Sequence, residues 1–136
     1  MKVWEKFSTD FDDRTPIYRQ IHTLFSRSFA RGLIKTGERI PSIRDMALQL
    51  KVNANTMQRV YQEMERDGLI NSKRGTGYFF TEDENMVAKV STQMARESIG
   101  RFLEEMRALG FTDKQIIDEL LNKIKEGNEN GSTVTD

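Results

Sequence analysis

Pro41-Ser42-Ile43-Arg44-Asp45-Met46-Ala47-Leu48-Gln49-Leu50-Lys51-Val52-Asn53-Ala54-Asn55-Thr56-Met57-Gln58-Arg59-Val60-Tyr61 contains two helix starts in quick succession. Ser42 can accept a hydrogen bond from an amide three residues on, and Asn53 is an equally good cap. Between them, Lys51-Val52 breaks the chain after Met46-Ala47-Leu48-Gln49-Leu50, leaving the short turn that joins two crossed helices. In the second helix Met57, Val60, Tyr61 and Met64 recur at i, i+3, i+4 and i+7, one apolar stripe at ~100° per residue. Asn55, Arg59, Gln62 and Arg66 lie opposite. Amide and guanidinium side chains can approach an anionic duplex and pair bidentately with base edges. Any amphipathic surface helix has a polar outer face, so this face alone decides nothing.

The next segment shifts the balance. Asp67-Gly68 ends the helix and Leu69-Ile70 starts a strand. Lys73-Arg74-Gly75-Thr76-Gly77-Tyr78-Phe79-Phe80 then combines a turn of two cations and two glycines with β-prone aromatics. Glycine lets backbone amides come close to phosphate or to a minor-groove floor, while Lys73 and Arg74 supply charge. Two helices, a tight turn and a basic hairpin in this order predict a winged helix-turn-helix.

The motifs also resemble a known family, the GntR superfamily of bacterial transcription regulators, and within it the YtrA type. The resemblance is carried by Pro16-Ile17-Tyr18-Arg19-Gln20-Ile21, by Gly37-Glu38-Arg39-Ile40-Pro41-Ser42-Ile43-Arg44 and by Val52-Asn53-Ala54-Asn55-Thr56. Tyr61 to Ile70 and Arg74-Gly75-Thr76-Gly77-Tyr78 complete it, over roughly half the chain. It implies that Arg44 lies on DNA, that Asn53, Asn55 and Gln58 occupy contact positions of the recognition helix, and that Gly75 is the wing-tip glycine. Ala54 departs from the pattern, since YtrA-type relatives usually carry proline there and many others arginine. Proline would suit a first helical position; alanine supplies neither its rigidity nor a guanidinium. The residues themselves add Thr56 and Arg59 as candidates for phosphate or base contact. The expected DNA-binding set is therefore Ser42, Arg44, Asn53, Asn55, Thr56, Gln58, Arg59, Lys73, Arg74, Gly75 and Thr76.

Net charge is zero over 136 residues, yet the charge is segregated. From Arg14 to Phe80 there are twelve Lys/Arg against five Asp/Glu, while residues 1–13 and 81–136 are both net acidic. A basic module matters because duplex affinity is largely counterion release from phosphates. Cysteine is absent, which excludes disulfides and thiol catalysis. No apolar run approaches the ~20 residues of a membrane span, and Met1-Lys2-Val3-Trp4-Glu5-Lys6 lacks a signal peptide's apolar core, so the expected compartment is the cytoplasm. His22, the single histidine, sits amid polar neighbours and reads as a surface residue. No acid, thiol or metal-ligand cluster accompanies it, so the expectation is a non-enzyme without cofactor or metal.

The expected domain lies at 14–81, after an aromatic and acidic segment at 1–13 whose Trp4, Phe7 and Phe11 pack on this domain or on a partner subunit. Thr15 as cap and Pro16 at the first helical position open a helix with Ile17, Ile21, Leu24, Phe25 and Phe29 on its apolar face, ended by Gly32. Its arginines are mostly solvated, with Tyr18 or Arg19 a secondary candidate for backbone phosphate. Beyond the hairpin, residues 82–127 are expected to form two helices that dimerise. The first carries Val87, Val90, Met94, Ile99, Phe102, Leu103, Met106 and Leu109 up to Gly110. The second starts with a capping box, Thr112 with Gln115, and a hydrophobic staple, Phe111 with Ile116. It carries Ile117, Leu120, Leu121 and Ile124 before Gly127, and residues 128–136 read as a disordered polar tail.

Two such helices cannot bury their stripes against each other alone. A second copy would cover them, and a two-fold dimer reads two half-sites ~34–36 Å apart. The dimer face is expected to draw on Val87, Val90, Met94, Phe102, Met106, Ile117, Leu120, Leu121 and Ile124. Methionine in such a stripe is more often core filler than the wall of a ligand pocket. The resemblance implies the same division, a winged domain plus a short two-helix dimerisation unit. The roughly 55 residues after the hairpin are too few for the metal-binding, sugar-sensing or aminotransferase-like effector domains of other relatives. The resulting expectation is a mainly α protein with a small β-hairpin, a homodimeric repressor of an inverted-repeat operator. The resemblance further implies control of an ABC-transporter operon; any small-molecule effector is left open. A winged-helix adapter that binds protein through the same surfaces is the alternative.

Overall fold

The computed structural model describes residues 1–129. Helix α1, Ile17–Ala30, starts one residue later than expected, because Pro16 is itself the cap and its carbonyl accepts the amides of Arg19 and Gln20 at 3.1 and 3.3 Å. Thr15 contributes its carbonyl instead. Gln20 Nε2 donates to the carbonyls of Asp12 and Thr15 at 2.9 Å each, which fastens the incoming chain to the helix. Ile21, Phe25 and Phe29 are fully buried as their spacing predicts, but Leu24 is half-buried and Ile17, in the first turn, is exposed.

Strand β1 is Arg39–Ile40, followed by helix α2, Ile43–Leu50, and helix α3, Ala54–Arg66. Both expected caps form: Ser42 Oγ accepts from the Asp45 amide at 3.1 Å and Asn53 Oδ1 from the Asn55 amide at 2.7 Å. Lys51, at φ 58, takes the left-handed conformation that closes α2. This is uncommon for a residue other than glycine, and the amide of Val52 returning to the Ala47 carbonyl at 3.0 Å helps hold it.

Strands β2, Ile70–Lys73, and β3, Gly77–Phe80, form the expected hairpin. The sheet is larger than that hairpin, however. It has three antiparallel strands in the order β1-β3-β2, with Arg39 opposite Phe79 and Ile40 opposite Tyr78. Two residues are too few to show an alternating pattern, so β1 has no signature in the sequence.

The core lies where α1, α2, α3 and the inner sheet face meet. Phe80 is its pivot, stacked on Phe29 at 5.5 Å and tilted against Phe25 at 6.3 Å. Met46, Leu50, Met57, Val60, Tyr61, Met64 and Ile70 close around it. The amino-terminal aromatics pack on this same core. Trp4, in a short 3₁₀ turn at Val3–Lys6, is 3% exposed, and Phe7 meets Phe25 edge-on at 5.2 Å. Lys2 holds the segment from outside through Glu38 at 2.8 Å.

Helix α4 spans Asn85–Ala108 and helix α5 spans Asp113–Glu129. The chain forms two compact units that meet within α4, the first ending at Gln93 rather than at 81. The displacement has a simple cause. Met86, Val87 and Val90 pack against the winged core, so the start of α4 belongs to it. Val87 and Val90, expected at a dimer face, are thus already half-buried within the chain.

In the second unit the capping box forms in both directions: Gln115 Oε1 accepts from the Thr112 amide at 2.8 Å, and Thr112 Oγ1 from the Gln115 amide at 3.2 Å. Ile116 is buried and Phe111 half-buried, the arrangement a staple requires. Arg107 and Asp113 pair at 3.2 Å across the turn at Gly110, whose φ of 92° suits glycine. Helix α5 continues through Gly127 to Glu129, past the expected end. The remainder of the expected tail, residues 130–136, lies outside the described residues. Met94, Phe102 and Met106 are half-buried, while Ile117, Leu120, Leu121 and Ile124 are 44–60% exposed.

Candidate nucleic-acid interface

The expected contact residues fall into three groups once their side chains are located. Arg44 on α2, Asn55 and Gln58 on α3, and Arg74 at the hairpin tip are exposed and have no side-chain partner among the described residues. Gln62 shares this condition on the same outer face. These groups are available to a ligand with no internal bond to break.

Ser42, Asn53 and Thr76 instead complete the backbone. Ser42 and Asn53 spend their side-chain oxygens on the helix caps, although the Asn53 amide nitrogen remains a free donor. Thr76 Oγ1 donates to the Lys73 carbonyl at 3.0 Å, and its amide donates to the same oxygen at 2.9 Å, which shapes the hairpin turn. Gly75 has φ 78 there with open space around it, so backbone conformation and not crowding selects glycine. Thr56 is half-buried at the first turn of α3.

Arg59 and Lys73 form the third group, cations already held by neighbours. The Arg59 guanidinium lies 3.8 Å from the Tyr18 ring centroid, with Nε 3.5 Å from Glu63. Lys73 Nζ stands 4.7 Å from the Phe79 ring and 3.8 Å from Glu82. On the outer sheet face Arg39 flanks Phe79 as well, at 5.9 Å. Sequence reasoning missed Arg39 along with its two-residue strand.

Helix α3 therefore has two different edges. Tyr18 of α1 borders the edge carrying Arg59, while Ser72 of β2 donates to Glu65 at 3.2 Å on the other. Between them lies the uncommitted polar strip of Asn55 and Gln62. His22 is not a plain surface residue: its Nε2 lies 3.2 Å from Asp67 Oδ2 and its Nδ1 3.5 Å from Ser26 Oγ, bridging α1 to the end of α3. No group of three or more potential metal ligands occurs among the described residues.

The chain that carries these elements matches known regulators. The model of bacterial regulatory proteins of the gntR family matches residues 17–80. The HTH-type transcriptional regulator YhcF of Bacillus subtilis is 38% identical over 121 residues, covering 89% of this chain and 97% of its own. This chain belongs to the gntR family. The transcriptional repressor YtrA of Bacillus subtilis is 28% identical over 85% of this chain and 92% of its own. A GntR family transcriptional regulator from Listeria monocytogenes shares the fold with a TM-score of 0.73 at 34% identity, covering 82% of this chain and 98% of that one. The protein is accordingly a DNA-binding transcription regulator of the YtrA-like kind and not an enzyme. None of the helices among the described residues is long and apolar enough to cross a membrane.

Proposed function

We propose that this GntR-family regulator is a homodimeric repressor that binds an inverted-repeat operator, with α3 in the major groove and the hairpin tip at the flanking minor groove. The observation that carries this reading is the distribution of uncommitted side chains. Asn55, Gln58 and Gln62 sit on one helix face, with Arg44 on α2 and Arg74 at the hairpin tip also free. Bidentate amides supply base discrimination and arginines supply phosphate anchoring. Repression is supported by the name of the Bacillus subtilis relative YtrA, and the family resemblance adds an ABC-transporter operon as target. Such a regulator works in the cytoplasm.

Dimerisation is supported by the second unit. Ile117, Leu120, Leu121 and Ile124 remain exposed on α5 at helical spacing, and a second copy of the same face would bury them. Symmetry follows, because a two-fold dimer matches a two-fold operator.

The test is fluorescence-anisotropy binding to the DNA upstream of the protein's own gene, against a scrambled duplex of equal length, across a salt series. Preferential binding that weakens log-linearly with salt is the expected result. Arg44→Ala should abolish the preference without lowering the melting temperature, and Leu120→Glu with Leu121→Glu should give a monomer by sedimentation. Equal binding to scrambled DNA, or an unaltered Arg44→Ala variant, would sink the assigned docking face.

A further inference from the structure

Tyr18 and Arg19, at the start of α1, extend the interface beyond the recognition helix. The Arg59 Cζ stands 3.8 Å from the Tyr18 ring centroid, well inside the ~6 Å range of cation–π attraction. Arg59 Nε is 3.5 Å from Glu63 Oε2, and Glu63 Oε1 accepts from Arg66 Nη2 at 3.3 Å. Arg19 Nε donates to the Tyr18 hydroxyl at 3.3 Å. Where α1 and α3 lie side by side, Arg59 and Arg66 of α3 and Arg19 of α1 are thus held by the Tyr18 ring and hydroxyl and by Glu63, with Asp67 also 3.6 Å from Arg66 Nε.

This arrangement separates Arg59 from the base-reading amides. With the Tyr18 ring beside the guanidinium and Glu63 nearest its Nε, at 3.5 Å, the two Nη groups keep donors for another acceptor. The Arg59 side chain is 57% exposed, which leaves that edge accessible. Arginine has a large rotamer entropy to lose on binding. A ring that orders it beforehand removes part of that cost. Glu63 offsets part of the charge, so a phosphate must compete with it.

We infer that Tyr18 is a positioning residue that presents Arg59, with Arg19 beside it, to a backbone phosphate at the α1 edge of each half-site. Arg59 then anchors the recognition helix and reads no base. This inference rests on the docking proposed above, with α3 in the major groove.

The test uses the full chain and two duplexes of about 30 bp, one enriched from a randomised pool by the wild-type protein and one scrambled. Arg59→Ala should weaken binding to both by a similar factor, about tenfold. It should also reduce the slope of log K against log salt by about 0.9, one phosphate contact. Tyr18→Phe keeps the ring that faces Arg59 and loses only the hydroxyl that accepts from Arg19 Nε, so it should retain most of the wild-type affinity. Tyr18→Leu should reproduce most of the Arg59→Ala loss, and the double variant should be no weaker than Arg59→Ala alone.

An Arg59→Ala loss confined to the enriched duplex, with unchanged slope, would make Arg59 a base reader and overturn the inference. So would a neutral Tyr18→Leu, or losses that add in the double variant. Thermal melting of each variant separates these outcomes from a folding defect, since Tyr18→Phe retains the packing if Tyr18→Leu does not. Wild-type protein that fails to discriminate the two duplexes would defeat the docking itself, a result distinct from any of these.

Discussion

Tyr61 Oη donates a 2.7 Å hydrogen bond to the carbonyl of Pro41, which ties the middle of helix α3 to the residue just ahead of the α2 cap. The same ring meets Tyr78 of β3 edge-on at 5.0 Å. One buried side chain therefore joins α3, the approach to α2 and the sheet, the three parts whose mutual placement sets the proposed interface.

Tyr61→Phe keeps the ring and removes the hydroxyl, leaving the Pro41 carbonyl short of a partner. The expected cost is about 1 kcal/mol, read as a lower midpoint of urea denaturation with an unchanged slope. An unshifted midpoint would mean that water replaces the bond at no loss.

The same residue predicts an alkaline response. Burial pushes the Tyr61 phenol well above its ordinary value of 10.0, so the folded chain keeps a proton that the unfolded chain releases. This stabilisation is complete below about pH 10 and is lost as pH rises above it. The wild-type advantage over Tyr61→Phe in melting temperature should be constant near neutrality and shrink above about pH 10. A constant advantage across that range would show the phenol ionising equally in both states.

Asn53 caps α3 and, in the proposed docking, also faces DNA, and substitution can separate the two. Asp at this position can still cap α3 and favours its amino terminus through the helix dipole, so Asn53→Asp should melt like wild type. It should nevertheless bind DNA at least about tenfold more weakly, because a carboxylate faces phosphate. Asn53→Ala should lose about 1 kcal/mol of stability as well. Full DNA affinity in Asn53→Asp would reduce Asn53 to a cap.

Trp4 tests whether the amino-terminal segment is part of the core. At 3% exposure, Trp4→Ala should destabilise the chain by about 3 kcal/mol or more, measured by circular dichroism because the variant has no tryptophan left. A loss below about 0.5 kcal/mol would class the segment as a surface ornament.

Thr112→Ala removes one arm of the α5 capping box. It should cost about 1 kcal/mol and speed hydrogen exchange at the Gln115 amide, with Thr112→Ser restoring protection. Unchanged exchange at that amide would mean the cap is not limiting.

Local chemistry alone determined much of this protein. The caps at Ser42 and Asn53, the buried stripe of Met57, Val60, Tyr61 and Met64, the hairpin turn around Gly75 and the capping box at Thr112 are all legible because each depends on residues within a few positions of one another. Proximity in sequence is enough when the hydrogen bond or helical face is local. The tertiary structure decided what depends on distant partners. Strand β1 exists because β3 lies beside it, and Val87 and Val90 belong to the winged core because that core has room for the start of α4. Arg59 offers the sharpest case. Its place on the polar face of α3 follows from helical spacing, but Tyr18 lies 41 positions earlier in the chain. Only the packing of α1 beside α3 could set an aromatic ring under that guanidinium and fix which of its donors remain free.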